Sequence, residues 1–304
     1  MLLAAHSRVW RPGRPVDLGA TLGPLRRGSG DPCLAVDAAG AWWRATLTPG
    51  GPATLRVQVD AAAGEVRGEA WGPGADWVLE TLPALLGARD DPGDFRTDHP
   101  VLREVWRRHP GWRVPRTGRV VEALVPAVLE QKVTGTEAWR AYRTLVRRYG
   151  EPAPGPLPLL LPPAPRSWAL IPSWEWHRAG VDQARSRAVV TAVRAAGRLE
   201  ALTALAPAEA QARLRTLPGI GAWTAAEVAQ RALGDADAVS VGDFHLPKLV
   251  GTVLAGRRVD DTGMLELLEP YRGHRYRVVR LVELSGLGYE RRGPRLAPRD
   301  FRRR

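Results

Sequence analysis

The stretch "LRTLPGIGAWTAAEV", residues 214–228, breaks a hydrophobic run at Pro218-Gly219-Ile220-Gly221 and restarts it at once with helical spacing. Shortly after it comes "VSVGDFHLPKLVG", residues 239–251, in which Asp243 is the one carboxylate. Two short helices joined by so tight a turn suit a phosphate backbone. Glycine permits the turn and lets a phosphate approach without a Cβ in the way. The unsatisfied N–H groups that open the second helix then face that phosphate, aided by the helix dipole. Ile220 can pin the two helices together. The device grips backbone without reading sequence; its candidate contacts are Gly219, Ile220, Gly221, Ala222 and Thr224. The same letters also describe an ordinary helical corner, and the turn alone does not choose between them.

Composition narrows the partner. The chain has 304 residues, 44% hydrophobic and 25% charged, which reads as globular with room for a substantial core. No apolar run approaches the roughly 20 residues that span a bilayer. The apolar part of "MLLAAHSRVWRPG" is too short for a secretory leader, so the cell interior, in contact with the nucleoid, is the expected compartment. A single cysteine, Cys33, excludes an intramolecular disulfide and any tetra-cysteine metal site. The net charge is +12, and all but two of the 44 basic residues are arginine, the exceptions being Lys132 and Lys248. Arginine favours bidentate phosphate contacts. With no basic amphipathic tail for a membrane surface, nucleic acid is the expected polyanion.

Along the chain the pattern changes near residue 95. Before it, "TLRVQVD" alternates Leu55, Val57 and Val59 with polar residues, the period of a half-buried strand. "CLAVDAAGAWWRATL" and "EVRGEAW" supply further strand candidates, and "ADWVLETLPALL" one helix. Residues 1–94 therefore read as a small α+β unit, an antiparallel sheet backed by a helix. Residues 95–304 read as all-helical, with candidates at 98–109, 119–133, 136–149, 182–196, 207–216, 221–233, 243–254, 262–268 and 271–284. Asp98 and Asp182 suit N-caps, Pro207 a first helical position, and Pro126 predicts a kink or a later start. The proline-rich residues 151–167 predict an extended surface loop.

The hairpin followed by Asp243 resembles the helix-hairpin-helix DNA glycosylase superfamily, and within it the 3-methyladenine DNA glycosylase II branch, which removes alkylated bases. "VEALVPAVLEQKVTGTEAWRAYRTLVRRYG" and "AGVDQARSRAVVTAVRAA" resemble the helix pair and the segment before the hairpin in that branch. The N-terminal unit looks like the branch's TATA-binding-protein-like domain. The resemblance implies a mainly α fold with that domain in front, a monomer, and double-stranded DNA with damaged bases as partner. It implies no cofactor and no side-chain metal site. Carbonyls of Leu217 and Ile220 are where the family's hairpins can hold a monovalent cation.

Carried over by residue, Asp243 falls on the family's catalytic aspartate. Excision passes through an oxocarbenium-like sugar whose positive charge needs a nearby anion, and the carboxylate can orient or deprotonate water. Capping of the helix after it is compatible with that role. Trp223 stands where bifunctional relatives carry a Schiff-base lysine. Tryptophan cannot form that adduct, but it can stack on an electron-poor flipped base. This predicts a monofunctional hydrolase of N-glycosyl bonds. Glu227 and Arg280 stand at pocket positions that are aromatic in the best-known member, which puts the base range in question. Gln131 and Lys132 occupy the turn that enters the duplex, where Lys132 replaces an aliphatic wedge. His177, His245 and His274 lack metal-ligand spacing, Trp174 and Trp176 read as core and interface, and the arginine-rich C-terminus as solvated charge. The rivals are a non-catalytic lesion or DNA-structure binder, a glycosylase for another damaged base, and a lyase using Lys132 or Lys248.

Overall fold

The computed structural model describes residues 5–289; the arginine-rich C-terminus lies outside them. Five antiparallel strands, β1 (His6–Trp10), β2 (Leu34–Val36), β3 (Trp42–Thr48), β4 (Gly51–Asp60) and β5 (Glu65–Trp71), form one sheet in the order β1-β5-β4-β3-β2. A short helix α1 (Leu18–Leu22) interrupts the strands, and α2 (Ala75–Leu85) follows them. Period-2 alternation makes the two faces. Ala53, Leu55 and Val57 of β4 pack with Val66, Ala70 and the buried side of α2. Trp43 and Trp71, stacked with ring centroids 5.4 Å apart, cover the other face.

The helical part runs through α3 (Pro100–Arg108), α4 (Val120–Leu129), α5 (Gly135–Tyr149), α6 (Pro165–Leu170), α7 (Ser173–Arg178), α8 (Gln183–Arg194), α9 (Ala196–Glu200), α10 (Pro207–Leu214), α11 (Ala222–Val228), α12 (Leu246–Ala255), α13 (Asp261–Leu268) and α14 (Arg275–Leu284). The molecule is thus mostly helical with a small antiparallel sheet at its N-terminal end. Two helical cores result. One gathers α4 to α11, with Leu124, Val128, Leu145, Trp168, Val189, Leu214 and Ile220 inside. The other gathers α3 and α12 to α14, with Leu102, Trp112, Val250, Met264 and Val278. The sheet is hooked to the first core by Glu122 of α4, whose carboxylate accepts from Thr46 Oγ1 (2.6 Å), Leu47 N (2.8 Å) and Arg44 Nη2 (2.8 Å).

Several sequence expectations need correction. The α4 helix passes through Pro126 unbroken, because burial of nearly all its residues offsets the lost bond and ring clash, about 3 kcal/mol. It stops at Leu129, short of the expected Val133. Asp98 caps nothing: α3 starts at Pro100, whose ring pre-sets the first helical φ, with His99 extended before it. Asp182 does cap α8, accepting from Arg185 N at 2.9 Å. Residues 151–167 are not a plain surface loop, since Leu159 and Leu161 are buried against Trp43 and Trp71. Trp176 is core, but Trp174 is 65% exposed.

Candidate active site

The hairpin forms between α10 and α11. Ile220 N donates to Leu217 O at 3.1 Å to close the turn, and the Ile220 side chain is buried in the first helical core. Gly219 has φ +83°, and a Cβ there would stand 2.8 Å from the Cβ of Ala188 on α8. Gly221 has an ordinary φ of −94°, and a Cβ on it would meet nothing within 4 Å. The first glycine is therefore demanded by the fold, whereas the second faces open space. Gly219→Ala is expected to lower stability by about 1–3 kcal/mol. Gly221→Ala should change it by no more than about 0.5 kcal/mol, and a duplex affinity that falls in this variant alone would mark the open side of the turn as a phosphate-binding face. Melting curves and duplex affinity at fixed salt, measured on both variants, check this.

Exposure sorts the other hairpin residues. Ala222 is exposed, but Thr224 is buried and its hydroxyl accepts from Gln131 Nε2 at 2.8 Å. What Thr224 can offer a phosphate is its backbone N–H in the first helical turn. Gln131 Nε2 also donates to Gly219 O at 2.9 Å. The amide thus ties the α4–α5 turn to the hairpin. Its neighbour Lys132 is exposed and has φ +56°, the one positive φ outside glycine among the described residues. Such a conformation costs on the order of 1–3 kcal/mol and clusters at functional sites. The Leu217 carbonyl already accepts from Ile220 N, so a cation on the Leu217 and Ile220 carbonyls would share that oxygen with the turn.

Asp243 lies on the segment that leaves the π-helical turn Ala229–Leu233, after α11, and crosses to α12, from one helical core to the other. The helix expected to begin at Asp243 begins three residues later, at Leu246. Its start is capped from outside: Asp243 Oδ1 accepts from His245 N at 2.7 Å and Leu246 N at 2.9 Å. The other oxygen, Oδ2, accepts from Trp223 Nε1 at 3.1 Å. The carboxylate is partly exposed and fixed at both oxygens. Trp223 therefore contacts Asp243 directly, a link the spacing alone did not give.

One and two helical turns beyond Trp223 stand Glu227 and Arg231. Glu227 Oε1 accepts from Ser240 Oγ at 2.5 Å and Oε2 from Arg231 Nη1 at 2.7 Å. Burial, the largest single influence, would lower the Arg231 pKa, but Glu227, Tyr276 and Glu130 together outweigh it and push it up. Ser240 Oγ also accepts from Gln230 Nε2 at 2.9 Å. Arg280, on α14, pairs with Glu283. Ser240, Arg231 and Tyr276 were not singled out by sequence; the i,i+4 spacing of Glu227 and Arg231 was the available signal. Lys248 Nζ sits 3.4 Å from the centroid of the exposed Phe244 ring. Among the described residues no group of three His, Cys, Asp or Glu could hold a metal, and no helix is long and apolar enough to cross a membrane.

Together these elements make one fold: a hairpin pinned between two helices, an aspartate on the crossover to a second helical core, and a small antiparallel sheet at the N-terminal end. Solved structures share it. The 3-methyladenine DNA-glycosylase of Archaeoglobus fulgidus matches with TM-score 0.75 at 17% identity, over 92% of this chain and 98% of that one. The 8-oxoguanine glycosylase/lyase of Clostridium acetobutylicum matches with TM-score 0.71 at 11% identity, over 94% and 99%. No family model matches the sequence. Sequence similarity is found to the "Probable bifunctional transcriptional activator/DNA repair enzyme AlkA" of Mycobacterium tuberculosis, 36% identical over 150 residues, or 48% of this chain. That match spans 30% of the curated relative's length. The chain thus has the fold of these glycosylases and resembles the AlkA relative in sequence over about half of its own length, while spanning under a third of that relative.

Proposed function

We propose that the chain is a monofunctional DNA glycosylase of base excision repair, flipping alkylated bases of the 3-methyladenine type out of duplex DNA and hydrolysing their N-glycosidic bond. The observation that carries this reading is Asp243, held by Trp223 Nε1 on one oxygen and by two backbone N–H groups on the other, on the crossover that follows the hairpin helix. The hairpin grips the strand beside the lesion through backbone N–H groups. Flipping costs a few kcal/mol of unstacking. The indole of Trp223 offers its face to the extruded, electron-poor base while its N–H holds the carboxylate. As the bond lengthens, positive charge grows on the sugar, and the Asp243 carboxylate stabilises it and orients the attacking water. Products are free base and an abasic site. No lysine stands at the hairpin position where a Schiff base would form, and strand cutting is not expected.

Residues 1–94 are proposed as a TATA-binding-protein-like domain and residues 95–304 as the glycosylase domain, acting as a monomer on nucleoid DNA in the cytoplasm. Base release from methylated duplex DNA, with nicks scored before and after alkali, tests the reading. Release with nicks only after alkali supports it. Tight, salt-sensitive binding with no release favours a non-catalytic binder, and a borohydride-trapped adduct favours a lyase.

The left-handed Lys132 is proposed as the wedge that fills the gap left by the flipped base, its aliphatic stem between bases and its ammonium at a phosphate. Lys132→Gly is expected to leave stability unchanged or raised, since glycine takes this φ freely. Base release should fall by about tenfold, ~1.4 kcal/mol. Equal release rates for variant and wild type would remove the wedge role.

A further inference from the structure

The turn that carries Lys132, residues 130–134, joins α4 to α5 and is held at both ends. The last carbonyl of α4, Leu129 O, accepts from the buried Arg185 Nη1 of α8 at 2.8 Å. Glu130 Oε1 accepts from Trp139 Nε1 of α5 at 3.2 Å and pairs with Arg27 at 3.7 Å. Thr134 closes the turn through a capping box with Glu137. Lys132 itself is exposed, with φ +56°. A residue in such a conformation persists where its surroundings over-determine it, and these bonds are that surrounding.

Gln131 carries the turn across to the hairpin. The Gly219 carbonyl can only accept, so the amide atom that faces it must be Nε2. Both protons of that nitrogen are matched, by Gly219 O at 2.9 Å and Thr224 Oγ1 at 2.8 Å. A Gln131 that entered the duplex would forfeit both bonds. Helix α8 makes the same connection from behind. Arg185 holds the end of α4, and Ala188, three residues further along the same face, leaves no room for a Cβ on Gly219.

We propose that Gln131 is a positioning residue: it locks the Lys132 turn to the hairpin, so that the strand gripped by the hairpin sets where the wedge enters. This rests on the excision and wedge readings above. The hairpin holds backbone, and Lys132 fills the gap beside the flipped base. Two such contacts act together only if the distance between them is fixed, since a misplacement of about 1 Å can cost about 10²-fold in rate. Gln131 fixes that distance and acts through Lys132, not on the base stack.

Two readouts test this on the full chain. One is methylpurine release from methylated duplex DNA under single turnover. The other is the fluorescence of a 2-aminopurine opposite a tetrahydrofuran abasic analogue, which reports insertion into the gap whatever base the protein excises. Gln131→Met keeps the length and loses both donors. It is expected to slow release about tenfold, the range of one or two neutral hydrogen bonds, and to reduce the fluorescence change while affinity for undamaged duplex is unaltered. The bond to Gly219 lies at the surface, so water can take up the freed carbonyl and the fold should hold. Thr224→Val removes one acceptor at nearly constant shape and should act in the same direction by less. The decisive variant combines Lys132→Gly with Gln131→Met. Residues that act through one another are not additive, so the pair should be no slower than Lys132→Gly alone. A product of the two single effects, or wild-type release by Gln131→Met, overturns the inference and leaves the excision reading standing. Release of no methylpurine by wild type overturns the excision reading, and the fluorescence then decides the inference: a change lost in Gln131→Met supports it, and a change retained there overturns it.

Discussion

Asp243→Asn is expected to reduce base release by roughly 10³-fold or more while duplex affinity stays within a fewfold of wild type. Electrostatic stabilisation and general-base assistance are each worth about two or more orders of magnitude in other enzymes, and one side chain is proposed to supply both here. The hydrogen bonds explain why asparagine is a demanding test. Asp243 Oδ1 accepts two backbone N–H groups and Oδ2 accepts the Trp223 indole N–H. An amide can satisfy one side only. With its oxygen toward the backbone, its NH2 faces the indole donor; turned round, it faces the backbone donors. The substitution removes the charge and also releases Trp223 from its fixed orientation. Because the site is partly exposed, water can take up the freed donor, so thermal stability should move little. Trp223→Phe separates the two effects: it keeps a ring for stacking but removes the N–H, and it should lose activity to a smaller extent than Asp243→Asn. Single-turnover base release with each variant on one damaged duplex checks the order. Retention of wild-type release by Asp243→Asn would sink the excision mechanism.

The hairpin and Asp243 were legible because both are local. A Gly-x-Gly turn between apolar runs and one carboxylate in an apolar stretch need no knowledge of distant contacts. The strands of the sheet were likewise legible from alternation, since one face of each is buried. What stayed hidden depends on partners far away in sequence. Nothing near Gln131 says that its amide reaches Gly219 and Thr224, 88 and 93 residues on. Nothing near Glu122 says that it hooks β3. The proline-rich segment looked solvated because its burial is supplied by Trp43 and Trp71 of the sheet. The boundary errors have local causes: Pro100 rather than Asp98 sets the start of α3, and Asp243 caps α12 from three residues outside it. The two glycines of the turn show the same division. Their letters are equal in the sequence, but only the structure separates Gly219, pressed on Ala188, from Gly221, open to solvent.

Arg277→Met is expected to destabilise the protein by about 3–5 kcal/mol, the cost of leaving one partner of a buried ion pair behind. Arg277 is fully buried on the side of α14 that faces the second helical core. Its guanidinium donates to Asp90 through Nη1 at 3.0 Å and Nη2 at 2.5 Å, and through Nε to His274 Nδ1 at 3.1 Å. That bond makes His274 Nδ1 an acceptor, leaving its Nε2–H to donate to Asp94 at 2.7 Å. The rings of Phe95, Trp106 and Trp112 surround the cation with centroids 5.7–6.0 Å from Cζ, adding cation–π attraction in a desolvated setting. Methionine fills much of the volume but leaves the Asp90 carboxylate buried and without its cation, with Val114 N still donating to it at 2.9 Å. For a chain of this size each kcal/mol shifts the melting temperature by about 2–4 °C, so a fall of roughly 6–20 °C is expected. Adding Asp90→Leu should recover part of it, since an apolar pair of similar volume avoids the desolvation penalty. Recovery would stop short of wild type because Val114 N loses its acceptor. A melting shift below about 3 °C in Arg277→Met would mean that water reaches Asp90, and that the aromatic cage rather than the ion pair fixes α14.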